Sequence, residues 1–402
     1  MDKLFPERLD DADSGFGALR RRAQKVLMQH GFPHRKTENW KYVPLGLLEK
    51  RDFGAPGGGN TGRAEAPSIP FDVGVVHVQD GRLDRQRCDL PGGVSLHPTA
   101  AGEVDLELLR DDGPADAFAW LNLARCAEAW TLRVEGRADR PLLLAATCSD
   151  AFDHAAHPRL RLELAPGAEL TLVEYQHGGG AGLLNAVLDI ALDADASLTH
   201  VLARGCDETA WIQRSCARVG ERAAYRAFAL DGGGSLTRQD LVARLESPGA
   251  RALVAGVGVL SGRSLVDYHT AIEHVVGGTE SEENFRMLAD DRAVGVFNGR
   301  ILIVPGADDS HSQMNTGNML LSDAARINTK PELEIHAEDV TASHGATVGQ
   351  LDDVARFYLR SRGLDDAQAM ALLKFGFAAA VFDQLPPGAI RDWLTQRLED
   401  HL

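Results

Sequence analysis

Turn signals recur at a nearly constant interval through the middle of this chain, and this recurrence constrains the fold more than any other feature. They fall at residues 166–168, 195–196, 220–221, 248–250 and 277–278, about 25 to 29 residues apart as counted in the sequence. Short β-rich runs lie between them from Trp130 onward. Such a degenerate repeat is typical of a coiled β-solenoid. Further along, Asp291, Gly306 and Asp323 shorten the interval.

The alternative fold is a stack of antiparallel hairpins, which requires two-residue Asn-Gly or Asp-Gly turns between neighbouring strands. Asp80-Gly81, Asp231-Gly232 and Asn298-Gly299 are candidates, too few for a sandwich of this length. We therefore predict a mainly β chain with a solenoid core over residues 130–351. Because both ends of a solenoid expose unpaired backbone, we expect helical segments at the termini to cover them.

The two terminal regions have helical patterns. Residues 1–129 form a mixed region with an amphipathic helix over 14–30, a glycine-rich flexible loop over 54–62, a strand over 71–78 and a helix over 115–128. Residues 352–402 form a helical region. Within it, residues 370–382 are apolar on almost every side, which implies a second contact surface. From the residues alone, an internal cap and a protein-docking module both stay open.

Composition excludes several classes of function. A chain of 402 residues with 44% hydrophobic residues can bury a large core, and its net charge of −16 argues against a nucleic-acid surface. No segment is long and apolar enough to span a membrane, so we expect a cytoplasmic protein. The glycines are nowhere followed by the Lys and Ser or Thr of a phosphate-binding loop, so the chain is not an ATPase of that type. No CxxC pair occurs among the five cysteines: Cys88, Cys126, Cys148, Cys206 and Cys216.

Residues 329–352 contain the strongest candidate for chemistry. Glu332, Glu334 and His336 alternate with apolar residues as in a half-buried strand, and the parity then flips, which predicts a corner near Glu338. After the flip, His344 lies on an otherwise apolar face. By composition alone, a neutral imidazole on such a face is most often a hydrogen-bonded core histidine.

Five segments of the chain together resemble the SufD family, scaffold subunits within the SufB/SufD superfamily of iron-sulfur cluster assembly. The segments are ENWKYVPL, FNGRILI, TKPELEIHAEDV, SHGATVGQLD and FYLRSRGL. The resemblance implies a right-handed parallel β-helix flanked by helical segments. It also implies a non-catalytic subunit that pairs with a SufB-like subunit and binds a SufC-like ABC ATPase.

The resemblance also implies roles for individual residues. His344 would hold a transient, nascent Fe-S cluster at the SufB interface, together with a cysteine from SufB. Many relatives carry a cysteine two positions earlier, where this chain has Ala342, so His344 would act alone on this subunit. Glu334 and Glu338 are nearby acceptors. The residues expected to bind the ATPase are Phe357, Tyr358, Arg360, Met370, Phe375 and Phe377.

Other interpretations stay open. A carbohydrate-acting β-helix enzyme would need paired or calcium-binding carboxylates along a groove, and no tight Asp/Glu cluster is evident. A metal-free, self-assembling structural dimer is a third option, as is a homodimer of the isolated chain. In DYHTAIEH, Asp267 and His269 share a strand face and His274 takes the other, so spacing alone gives no three-ligand metal site. Whether the assembled complex binds a flavin is left open.

Overall fold

A computed structural model describes residues 16–34, 36–51, 53, 68–106, 109, 114–206 and 208–402, so the predicted loop over 54–62 lies outside the described residues. The strands are β1 Gly74–Gln79, β2 Arg82–Leu83, β3 Val94–Pro98, β4 Ala129–Val134, β5 Leu142–Cys148, β6 Ala155–Ala156, β7 Arg159–Leu164, β8 Glu169–Gly178, β9 Leu183–Leu192, β10 Ser197–Cys206, β11 Ala210–Val219, β12 Ala224–Asp231, β13 Leu236–Leu245, β14 Arg251–Leu260, β15 Leu265–His274, β16 Glu280–Ala289, β17 Val294–Ile303, β18 Ser310–Leu320, β19 Arg326–Ile335 and β20 Val340–Gly349. The α-helices are α1 Phe16–His30, α2 Gly46–Glu49, α3 Ala117–Arg125, α4 Asp353–Ser361, α5 Asp366–Ala379 and α6 Ala389–His401. The 3-10 helices are Glu38–Trp40, Arg85–Arg87, Ala101–Glu103, Pro114–Asp116 and Ala380–Gln384.

The strands wind into a β-solenoid with two walls, which confirms the predicted mainly β fold with helices at both termini. From β7 onward, successive strands alternate between two parallel sheets. The first sheet has the order β2-β1-β5-β8-β10-β12-β14-β16-β18-β20, and the second has the order β19-β17-β15-β13-β11-β9-β7-β4-β3, with β6 beside β9. Side chains of neighbouring coils therefore stack in rows, one residue per coil.

The predicted turn signals all fall at one corner of the coil, where the chain leaves the second sheet for the first. Residues there adopt left-handed backbone conformations, including Gly167, Asp195, Gly249, Gly278 and Gly306. Glycine and aspartate recur because this corner must turn sharply once in every coil. The apparent shortening of the interval was a misreading of the sequence, since Asp291 and Asp323 lie at the opposite corner.

The terminal helices do not cover the ends of the solenoid, and on this point the expectation from sequence was wrong. The cluster formed by α1 and α3 packs on outward residues of the second sheet, such as Ile212 and Leu236. Residues of α6, including Trp393 and Leu398, pack on outward residues of the first sheet, such as Phe228. The helices lie on the sides because both outer faces carry apolar rows that must be buried.

Element boundaries moved by a few residues from those predicted. The strand expected over 71–78 is β1, and the helix expected over 115–128 is shorter and follows a 3-10 turn. The apolar run over 370–382 belongs to α5 and the 3-10 helix after it. Gln79 and Arg82 pair across Asp80-Gly81, so this dipeptide does form a hairpin turn.

Candidate functional site

The last coil of the solenoid is bare. Among the described residues, β19 and β20 are the terminal strands of their sheets, pairing with β17 and β18 on one side. The backbone N–H and C=O groups along the other edge of each strand have no neighbouring strand among the described residues. Ile335 is 40% exposed and Val348 is 50% exposed, although both have the parity of core residues. An edge of this kind is where another chain can add a strand.

His344 lies on this bare coil, in a row that otherwise runs through the interior. The inward row of the first sheet contains Leu172, His200, Ala227, Val254, Glu283, Met314 and His344. Met314, directly beneath His344, is fully buried, whereas His344 itself is exposed. Its imidazole has core parity but no further coil above it. In the described structure His344 is therefore not a sealed core histidine.

The two predicted acidic acceptors lie in different surroundings. Glu334 faces outward from the second sheet, where the Arg300 guanidinium donates hydrogen bonds of 2.9 and 2.7 Å to its carboxylate. Glu338 is exposed at the corner between β19 and β20, where its backbone N–H donates to Asp308 Oδ1 at 3.1 Å. The described residues contain no cluster of three or more His, Cys, Asp or Glu suited to a metal. Ligand roles for Glu334 and Glu338 stay predictions.

An amino-terminal arm holds the outer face of this end of the solenoid. Lys330 Nζ on β19 lies 2.8 Å from Glu38 Oε1 and 2.9 Å from Glu332 Oε1. The hydrogen bond from Lys330 lowers the pKa of Glu38, and the ammonium charge adds to this effect. The Arg238 guanidinium stacks 3.9 Å from the Trp40 ring centroid and donates to Asn39 O at 2.7 Å. The fold thus joins the ENWKYVPL segment to TKPELEI, far apart in sequence.

The histidines of DYHTAIEH behave as their parity predicts. His269 Nε2 lies 3.0 Å from Asp267 Oδ1 on the outer face. His274 points inward, and its ring nitrogens lie 2.7 Å from Thr279 Oγ1 and 2.8 Å from Ser281 Oγ. Burial lowers the pKa of His274 to about 4, so this imidazole is neutral at physiological pH. Both histidines have structural partners.

The carboxyl-terminal helices present an apolar surface on α4. Val354 and Phe357 are 76% and 73% exposed, and Tyr358 is 54% exposed. Helix α4 is tied to α5 by the Arg356–Asp366 ion pair. The predicted docking residues divide by position. Exposed on α4 are Phe357, Tyr358 and Arg360, and half-buried on α5 are Met370, Phe375 and Phe377.

The half-buried phenylalanines of α5 contact the chain's own solenoid. Phe375 and Phe377 pack against the apolar cluster on the outer face of the first sheet. The Arg286 guanidinium also lies 5.8 Å from the Phe377 ring centroid. The exposed surface available for docking is therefore built mainly by α4, while Leu372 of α5 is 48% exposed.

Comparison with known proteins decides the family. A family model described as "SUF system FeS cluster assembly, SufBD core domain" matches residues 146–377, more than half of the chain. The chain belongs to this family. The matched range runs from β5 to α5 and so includes His344, the bare coil and α4.

Individual relatives agree with the SufBD assignment. The iron-sulfur cluster assembly protein SufD of Escherichia coli is 29% identical over 385 residues, which cover 94% of this chain and 90% of that protein. A SufBD family protein of Synechocystis is 28% identical over 410 residues, covering 94% and 89%. SufD of Bacillus subtilis is 32% identical over 138 residues, covering 34% and 32%. Among the described helices of this SufBD-family chain, none has the length and apolarity to cross a membrane.

Sequence reasoning missed a polar network inside the solenoid. Glu174 Oε2 accepts from His200 Nε2 and Gln213 Nε2, each at 3.0 Å. Burial acts to raise the pKa of Glu174, but the His200 hydrogen bond and charge outweigh it, and the pKa is lowered. Further along, Arg204 Nη1 donates to Asp231 Oδ1 at 2.9 Å. The alternation of side chains along each strand could have revealed the network, since these polar residues occupy the same inward positions as the apolar residues of their strands.

Proposed function

We propose that this chain is a non-catalytic scaffold subunit for iron-sulfur cluster assembly. Its bare coil pairs with a SufB-like subunit, and His344 contributes an imidazole ligand to a nascent cluster carried between the two subunits. The observation behind this proposal is the exposed His344 on a row that is otherwise buried core. The surrounding apolar positions exclude water once a partner covers them, and a neutral imidazole binds iron. Membership of the SufBD family supports the same role.

Pairing of edges gives a physical basis for the heteromeric partner. Two solenoids that meet at bare coils satisfy the outward backbone groups of β19 and β20 and bury Ile335 and Val348. A second copy of this chain is the competing occupant, because an isologous contact uses the same edge on both subunits. In the heteromer, thiolate ligands come from the partner, since Ala342 supplies none here.

The test of the ligand role is co-expression with SufB-like and SufC-like subunits, followed by anaerobic purification and determination of iron and sulfide. His344→Ala should lower the iron and sulfide content per complex several-fold while the subunits still co-purify. His336→Ala is the matched control, because His336 is also exposed on the last coil. Undiminished cluster content in His344→Ala would remove the ligand role.

We further propose that α4 and the adjacent face of α5 receive the SufC-like ATPase. Four large side chains there, Val354, Phe357, Tyr358 and Leu372, are exposed among the described residues and offer apolar surface for docking. Deletion of the whole helical region is a poor test, because Trp393 and Leu398 of α6 cover the first sheet. A point substitution of an exposed residue on α4, such as Phe357→Ser, separates docking from folding.

A further inference from the structure

Glu283 on β16 is a carboxyl group inside the solenoid without an ordinary partner. Its side chain is fully buried, and neither carboxylate oxygen makes a hydrogen bond of ordinary geometry with the described residues. Glu174, the buried carboxylate in the earlier coils, is held by His200 and Gln213. A buried carboxyl with so little hydrogen bonding requires a physical explanation, and interaction with a bound ion is one of them.

The elements packed around Glu283 bring no compensating charge. The neighbours in its row are Val254 on β14 and Met314 on β18. On the second sheet, β17 contributes the inward Phe297 and Gly299, and the titratable groups of β15 are already engaged. There Tyr268 donates to Asp231, and His274 is held by Thr279 and Ser281.

Burial therefore sets the protonation of this group. It raises the pKa of Glu283 to about 8, while the Thr270 hydroxyl acts in the opposite direction. At neutral pH the group is a carboxylic acid rather than a carboxylate. This pKa lies only about one unit above neutral pH, so a nearby cation can lower it enough for the carboxyl to ionise.

Glu283 lies beneath His344 with only Met314 between them in the row. Adjacent strands are about 4.8 Å apart, so the two backbones are separated by roughly 10 Å. The Met314 side chain fills the space left by Gly299, where an added Cβ would lie 2.8 Å from its sulfur. The material between Glu283 and His344 is thus closely packed around the buried Met314, with buried hydroxyl side chains beside it on β18, and it screens charge less than water does.

We propose that Glu283 is the buried counter-charge of a divalent metal ion held at His344. The proposal rests on the ligand role proposed for His344. When the metal binds the imidazole nitrogen, its field favours ionisation of the Glu283 carboxyl, whose proton passes to the buffer. The carboxylate that remains attracts the bound cation. With an effective dielectric constant of about 20, a double charge roughly 10 Å away lowers an acid's pKa by about two units, more than the one unit needed at pH 7.

The experiment titrates the full-length chain, alone and with its SufB-like partner, with Fe²⁺ under anaerobic conditions by calorimetry. Measurement at pH 7 in two buffers of different ionisation enthalpy gives the protons released per metal. Wild type should release close to one proton more than Glu283→Gln and bind Fe²⁺ roughly tenfold more tightly. Glu282→Gln is the matched control, since this neighbouring carboxylate faces outward and bonds Gln384. It should behave as wild type.

The outcomes separate the two proposals. Equal proton release and equal affinity in wild type and Glu283→Gln would overturn the counter-charge role, and a thermal melt of the variant shows that it is folded. If His344→Ala binds Fe²⁺ as tightly as wild type, or wild type takes up none, the ligand role of His344 fails instead. A Glu283→Gln effect that persists in the His344→Ala background would also overturn the inference, because the coupling must run through His344.

Discussion

The two ends of the solenoid are built differently. At the first end the sheets finish in reversed strands: β2 runs antiparallel to β1, and β3 runs antiparallel to β4. Leu83, Leu90 and Leu96 from these segments pack against the inner core. At the last end, β19 and β20 run parallel to the strands before them, and Ile335 and Val348 stay exposed. Short reversed strands prevent another chain from adding a strand to the sheet, whereas a parallel edge strand in register with the coil can pair with a strand of another chain.

This difference shows where the described part of the chain leaves the solenoid open to another molecule. The first end and both outer faces are covered by the chain's own segments. At the last end and on the surface of α4, by contrast, several large apolar side chains are exposed to solvent. A solenoid needs a polar or covered terminal coil to stay soluble alone. Because no described residue covers the exposed side chains of the last coil, we expect a partner there.

The largest expected effect is a difference in the free energy of unfolding between substitutions at the two ends. Leu132→Ala, at a fully buried position of β4, should reduce the free energy of unfolding by about 2 to 5 kcal/mol, because it opens a cavity in the core. Ile335→Ala, on the last coil, should cost less than about 1 kcal/mol in the isolated chain. Urea unfolding of both variants measures the difference. Similar losses at the two positions would contradict the view that the last coil is bare.

The next effect concerns pH and Glu283. Its pKa of about 8 in the folded chain lies above the ordinary value of 4.5. The folded chain therefore binds a proton that the unfolded chain releases, and stability is lost as the pH rises from about 4.5 through 8. Wild type should lose roughly 2 to 4 kcal/mol across this window relative to Glu283→Gln. Denaturant melts from pH 5 to 9 check this, and parallel curves for the two proteins would refute it.

The smallest effect on stability, with a large effect on binding, is expected on α4. Phe357→Ser should change the free energy of unfolding by less than about 0.5 kcal/mol, because the ring is mostly exposed. It should weaken binding of the SufC-like ATPase at least tenfold, in keeping with loss of an aromatic anchor. Tyr42→Ser, at a partly exposed aromatic residue of the amino-terminal arm, is the control and should leave that binding unchanged. Pull-down with purified ATPase measures both, and equal binding by Phe357→Ser and wild type would remove the docking role.

Much of the fold was accessible from local patterns. Turn residues such as Gly167 and Asp195 indicated one corner of each coil. The change near Glu338 in which residues alternate as apolar and polar indicated the last corner. The predictions failed where one sequence pattern is compatible with two positions in the fold. Asp291 is a turn residue like Gly278, but it belongs to the opposite corner. The helical patterns were correct, yet their docking on the sides of the solenoid depended on apolar outward rows that were not considered.

The candidate site was only partly accessible. Parity placed His344 on an apolar face, which the structure bears out. Its exposure could not be predicted, because exposure depends on whether another coil follows. Glu283 was missed because it lies 61 residues before His344 in the sequence. The two residues come close in space only because the chain winds through two coils between them.

The sequence by itself determined the period of the coil, the alternation of inward and outward side chains and the place of the sharp corners. These properties arise from backbone sterics and from residues a few positions apart. Tertiary structure alone decided which side chains stack in a row, which faces the helices cover and which end stays bare. Those relations depend on the register between coils, which sets side chains about 28 residues apart in the sequence at a spacing of about 5 Å.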